Sequence, residues 1–132
     1  MPKNTSYGEE PGLDVAIGPV VQAAVPAAVH GLASTIAASG STVSNLLFSD
    51  GYKDLAVGAT SSQNGQIQVQ RYLDDAGLVA QGGPVTASLS AGVPGVVNIT
   101  DGNPFSSYKV TITNTGGSTA NLTNVAILQQ AQ

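Results

Sequence analysis

Residues 51–77 read "GYKDLAVGATSSQNGQIQVQRYLDDAG" and hold five of the chain's twelve Asp, Glu, Lys and Arg residues. Two strand patterns stand in it. Leu55, Val57 and Ala59 share one face at a period of two, and Ile67, Val69, Arg71 and Leu73 alternate with Gln66, Gln68, Gln70 and Tyr72. Side chains that alternate in this way lie on opposite faces of a strand, one toward a core and one toward solvent. "SSQNG" between the two runs and "DDAG" after them are rich in turn formers, so the stretch reads as a hairpin. Arg71 alone fits poorly, because it falls on the apolar face. Its stem is expected to cover a core rim while its head pairs with Asp74, Asp75 or a neighbouring subunit.

The same grammar extends in both directions. "STIAASGSTVSNLLFS" holds two short candidates around Gly40, and "PVTASLS" sets Val85, Ala87 and Leu89 against Thr86, Ser88 and Ser90. "VPGVVNIT" is an apolar run interrupted by Pro94 and Gly95. "SYKVTITN" alternates Tyr108, Val110 and Ile112 with Lys109, Thr111 and Thr113, and "ANLTNVAILQQ" places Val125 and Ile127 among polar residues. "SDG", "QGGP", "DGNP" and "NTGGS" punctuate these runs. About eight short strands at roughly ten-residue spacing predict an all-β fold: an antiparallel β-sandwich or jelly roll, with an extended N-terminal arm. Jelly-roll and immunoglobulin-like connections both remain open at this point.

The arm is residues 1–33 and the sandwich residues 34–132. After a polar start comes "LDVAIGPVVQAAVPAAVHGLA", uncharged beyond Asp14. Gly18, Pro19, Pro26 and Gly31, with Gln22 and His30 and no basic flanks, argue against a membrane span. Pro19 and Pro26 argue equally against a long helix, leaving an extended arm with one short helical turn near Ala23–Ala28. An exposed apolar arm is an aggregation liability. It is expected to lie on its own domain, on a sister subunit or on a larger partner.

Composition narrows the function. At 132 residues the chain is one domain long, and it has no cysteine, hence no disulfide or thiolate metal site. Only 9% of residues are charged and the net charge is -4, which disfavours nucleic acid and anionic membranes as partners. No basic-then-apolar leader is evident at the start, so the chain is expected to mature where it is made. The sequons at Asn4, Asn98 and Asn121 are then read as coincidental.

Catalytic constellations have weak footing. His30 is the only histidine, which leaves no multi-histidine metal centre and no nucleophile elbow beside it. Asp74 and Asp75 fit a tight turn better than a calcium loop, whose spacing is incomplete. Asp50, Asp54 and Asp101 are candidate paired carboxylates for glycoside hydrolysis, yet each sits beside a turn. No Walker-type phosphate loop is present. The expectation is a protein without catalytic, cofactor or metal residues.

The apolar arm, the strand–turn–strand "DLAVGATSSQNGQIQVQRYLDDAG" and the late "YKVTITNTGGSTANLTNVAIL", with Tyr108, Val110 and Asn114 as Y-x-V-x-x-x-N, carry a resemblance. Residues 45–128 resemble the small β-sandwich decoration, or cement, proteins of tailed bacteriophages. The resemblance implies a virion protein made in the host cytoplasm, bound to the outer capsid surface and stabilising contacts between capsomers. Its partners would be the major capsid protein and copies of itself, as a homodimer or homotrimer. Contacts are then expected from Val15, Ile17, Val20, Val21, Val25, Val29 and Leu32 of the arm and from Arg71. The aromatic and arginine cluster of the wider group near the late strand is missing here. The alternative is a carbohydrate-binding or adhesin-like module of a phage tail or cell surface, using Tyr52, Tyr72 and amide side chains.

Overall fold

The computed structural model describes residues 22–131. In chain order these form β1 (Gln22–Ala24), α1 (Ala27–His30), β2 (Thr35–Ile36), β3 (Ser41–Val43), β4 (Leu47–Phe48), β5 (Asp54–Ser61), β6 (Gly65–Tyr72), β7 (Val85–Leu89), β8 (Gly95–Ile99), β9 (Ser107–Asn114) and β10 (Ala120–Gln130). One sheet has the order β1-β10-β5-β8, with β2 also on β10. The other has the order β3-β9-β6-β7, with β4 also on β9. Every pairing is antiparallel. If β1 and β2 are two pieces of one strand position, and β3 and β4 of the next, eight positions remain, ordered 1-8-3-6 and 2-7-4-5. That is the double Greek key of a jelly roll, so the open choice of topology closes on it.

The inward faces are those the alternation marks. Leu55, Val57, Ala59, Val97, Ile99 and Ile127 come from the first sheet, and Ile67, Val69, Leu89, Tyr108, Val110 and Ile112 from the second, in one buried cluster. At about 25 cal/mol per Å² of apolar surface, such a two-sided core is what holds the layers together.

The quoted stretch is not a hairpin. β5 belongs to the first sheet and β6 to the second, so residues 62–64 cross between layers. The polar groups of this connection explain why. Instead of closing on one another they bond neighbouring loops: Ser62 N–H donates to Asn121 O, Asn64 Oδ1 accepts from Ala91 N–H, and Asn64 O accepts from Thr115 N–H. Glycine at position 65 lets β9 close in, since a Cβ there would stand 2.0 Å from Thr113 O.

The described part of the arm lies on its own domain. β1 pairs with the outer side of β10, Gln22 opposite Gln130 and Ala24 opposite Leu128. Pro26 then sits at the N-cap of α1, where a missing N–H costs nothing, and Gly31 at φ 66° ends the helix after one turn. His30 is buried, with its Nδ1 accepting from Leu32 N–H and its carbonyl from Asn45 N–H. Residues 22–33, expected with the arm, are therefore built into the sandwich.

The two ends of the sandwich differ. The far end gathers residues 37–40, 62–64, 90–94 and 115–119, and is held by hydroxyls, amides and backbone. Asn114 is the centre of this end: its Nδ2 donates to Ile36 O, Ala37 O and Ser118 O, and its Oδ1 accepts from Gly116 N–H. Tyr108, Val110 and Asn114, which carry the late-strand resemblance, are thus all fully buried packing residues. The opposite end, where β1 enters and β10 leaves, is the arm end.

Candidate interaction surface

Antiparallel pairing places the start of β5, the end of β6 and the end of β8 together at the arm end. The charged residues follow. Asp50, Lys53 and Asp54 lie at the entry to β5, Arg71, Asp74 and Asp75 at and after the end of β6, and Asp101 just after β8. Lys109 stands opposite Gln70 in the same half of the sandwich. All eight charged residues of the described chain therefore occupy this half.

Arg71 ties the two layers there. Its Nη1 and Nη2 donate to Asp101 Oδ1 and Oδ2, both at 2.8 Å, and its guanidinium carbon lies 5.6 Å from the centre of the Phe105 ring. Phe105 in turn meets Tyr108 edge-on at 6.0 Å. The partner is thus neither Asp74 nor Asp75, and it belongs to the same chain. The Arg71 side chain is only 6% exposed and that of Asp101 43%. Arg71's hydrogen bonds, aided by Asn103 N–H, hold the Asp101 carboxyl down at about 2.

The nearer acids have other tasks. Asp74 accepts from Leu78 N–H and Val79 N–H, which closes its loop and lowers its pKa, chiefly through the Val79 bond. This is the turn role expected for it. Asp75 accepts from Ser106 Oγ. The loop so fastened leaves Leu73, Leu78 and Val79 in solvent, Leu78 at 82% exposure.

Beside this loop lies a groove of about 460 Å³ between the edges of the two layers. Ala23, Ala24, Val25, Pro26 and Val29 form one wall, Leu46, Leu47 and Phe48 the other, with Asp50, Tyr52 and Gln129 as the polar contribution. Leu46 joins groove and loop, for its Cδ1 lies 3.0 Å from where a Cβ on Gly77 would stand. Gln129 is buried at 5% exposure and its Oε1 accepts from Tyr108 O–H, while its Nε2 has no hydrogen-bond partner among the described residues. Burial, with the Asp50 charge second, raises the Tyr108 pKa, so the phenol remains a donor.

Of the residues expected to touch partners, Val25 and Val29 line the groove, whereas Leu32 packs against the core. Arg71 is engaged within the chain. Val15, Ile17, Val20 and Val21 lie outside the described residues. Of the acids weighed for hydrolysis, Asp50 lines the groove, Asp54 a separate depression, and Asp101 holds Arg71. Tyr52 lines the groove but Tyr72 does not, so the two tyrosines of the sugar-binding alternative form no shared platform there. Among the described residues no three His, Cys, Asp or Glu side chains converge as a metal site, and no helix is long and apolar enough to cross a membrane.

The groove's polar floor had no signal in the sequence. In the sequence Gln129 is one of the polar residues after Val125 and Ile127, and only the fold sets it against Tyr108. No protein-family model matches the chain, and no curated protein matches it significantly.

Proposed function

We propose that the protein is a structural subunit of a bacteriophage virion, a decoration protein that binds the outer capsid surface and stabilises contacts between capsomers. The observation that carries this reading is the one-ended character of the sandwich. The charges of its described residues lie in one half, together with its exposed apolar loop at Leu73, Leu78 and Val79, its groove and the start of β1, and among the described residues the far end is uncharged and locked by hydrogen bonds. A module that attaches by one end and resists strain through its body needs this division. The loop is held in place by Asp74 and Asp75, so docking costs little ordering entropy.

Immunogold electron microscopy of virions from cells carrying the gene tests the reading. Label is expected over the capsid. Label confined to tails, or none on particles, would overturn it. A folded Leu78→Asp, Val79→Asp double variant should be lost from the particles.

A further inference from the structure

We propose that the groove beside β1 receives the uncharged run Val15–Val21 of a second copy, so that copies of this chain are joined by exchanged N-terminal arms. The groove is the first ground. Its volume of about 460 Å³ lies within the range of ligand pockets, about 300–1,000 Å³, and its walls are mainly aliphatic. Among the described residues no cation lines it and Asp50 is its only charge, so an acidic segment is disfavoured and an uncharged one admitted. "VAIGPVV", residues 15–21, is apolar and contains none of the chain's charges.

The second ground is Gln129. A buried amide N–H with no partner among the described residues is unfavourable, and the carbonyl of an extended backbone is the acceptor that such a donor wants. A strand laid in the groove supplies it, as in other cases where an extended segment adds to a sheet edge.

The third ground is direction. β1 runs inward from Gln22, opposite Gln130, toward Ala24, opposite Leu128. Gln22, where residues 1–21 join, thus stands at the end of β10, outside the Ala23–Pro26 wall. To fill their own groove those residues would have to reverse, and Gly18–Pro19 is the nearest turn-forming pair. A two-residue turn there sets Asp14 against Ala23, a carboxylate on the apolar wall with Asp50 close by. A second copy delivers Val15–Val21 directly and leaves Asp14 outside. Under two-fold symmetry each arm fills the other's groove.

The proposal is independent of the virion reading, because its test needs only the protein in solution. Sedimentation velocity on the full chain should show a dimer or a larger closed oligomer, and residues 22–132 should be monomeric. Ile17→Asp in the arm and Val29→Asp on the groove wall, where Val29 is 51% exposed, should each weaken association by about tenfold or more in otherwise folded full-length protein. Since the chain has no cysteine, Val20→Cys mixed with Phe48→Cys should form a disulfide between copies on oxidation. A monomeric full chain would overturn the proposal, as would oligomers that persist in residues 22–132. Association unaffected by both Asp variants would do so too. So would a Val20→Cys, Phe48→Cys double variant whose disulfide closes only within one chain.

Discussion

Arg71 falls on the same strand face as the buried Ile67 and Val69. An arginine on an apolar strand face must either reach solvent or meet a carboxylate. The sequence could show the need but not the partner, because Asp101 lies thirty residues on, after a strand of the other layer. Asp74 and Asp75 were nearer along the chain, yet Asp74 accepts the N–H groups of its own loop. The pair can be tested by acid. Asp101 titrates at about 2 in the folded protein, below its ordinary 3.8. Between these values the unfolded chain binds more protons, so stability rises with pH through the window and falls as pH drops from about 4 to 2. Asp101→Asn should flatten that segment of a urea-stability profile. At neutral pH, Asp101→Ala should cost about 2 kcal/mol: it strands a buried guanidinium, but water can reach a site whose partner is half exposed.

The strands themselves were legible, since a period of two survives whatever the neighbour. Leu55, Val57 and Ala59, then Ile67 and Val69, are buried as their alternation requires. Partner choice was not legible. A strand facing a core reads the same whether the next strand lies beside it or across from it, so β5 and β6 looked like a hairpin and are a crossover between layers. Gly65 marks the difference, and a mutation pair measures it. Gly65→Ala would place a Cβ 2.0 Å from Thr113 O, against backbone that cannot yield without moving β9. Unfolding in urea should show a loss of about 1–3 kcal/mol or more. Gly58→Ala is the control. Its Cβ would meet Gly95 O and Val96 Cγ2 at an ordinary 3.5 Å, and removing a mid-strand glycine should be neutral or stabilise by about 0.5–1 kcal/mol.

For the whole molecule, alternating strands and regularly spaced turns are enough to give a β-sandwich, but not where the sandwich begins. "QAA" at residues 22–24 has no strand character of its own; it is a strand because the edge of β10 offers unpaired backbone groups. Composition sets a boundary at residue 33, whereas the pairing of β1 with β10 and the packing of Val25 and Leu32 tie residues 22–33 to the sandwich and set one no later than Gln22. Two truncations separate these boundaries. Residues 22–132 keep β1, α1 and the packing of Val25 and Leu32, and should unfold in urea with the same midpoint as the dilute full chain. Residues 34–132 lose that packing and should be weaker by about 2–3 kcal/mol. They also bare the outer side of β10 at Leu128–Gln130, an unprotected edge that should raise light scattering as the protein is concentrated. The full chain should behave differently with concentration: if arms are exchanged between copies, its midpoint climbs as oligomers form, while that of residues 22–132 stays level. A full-length midpoint independent of concentration would leave the groove without its occupant, and equal stability of the two truncations would return the boundary to residue 33.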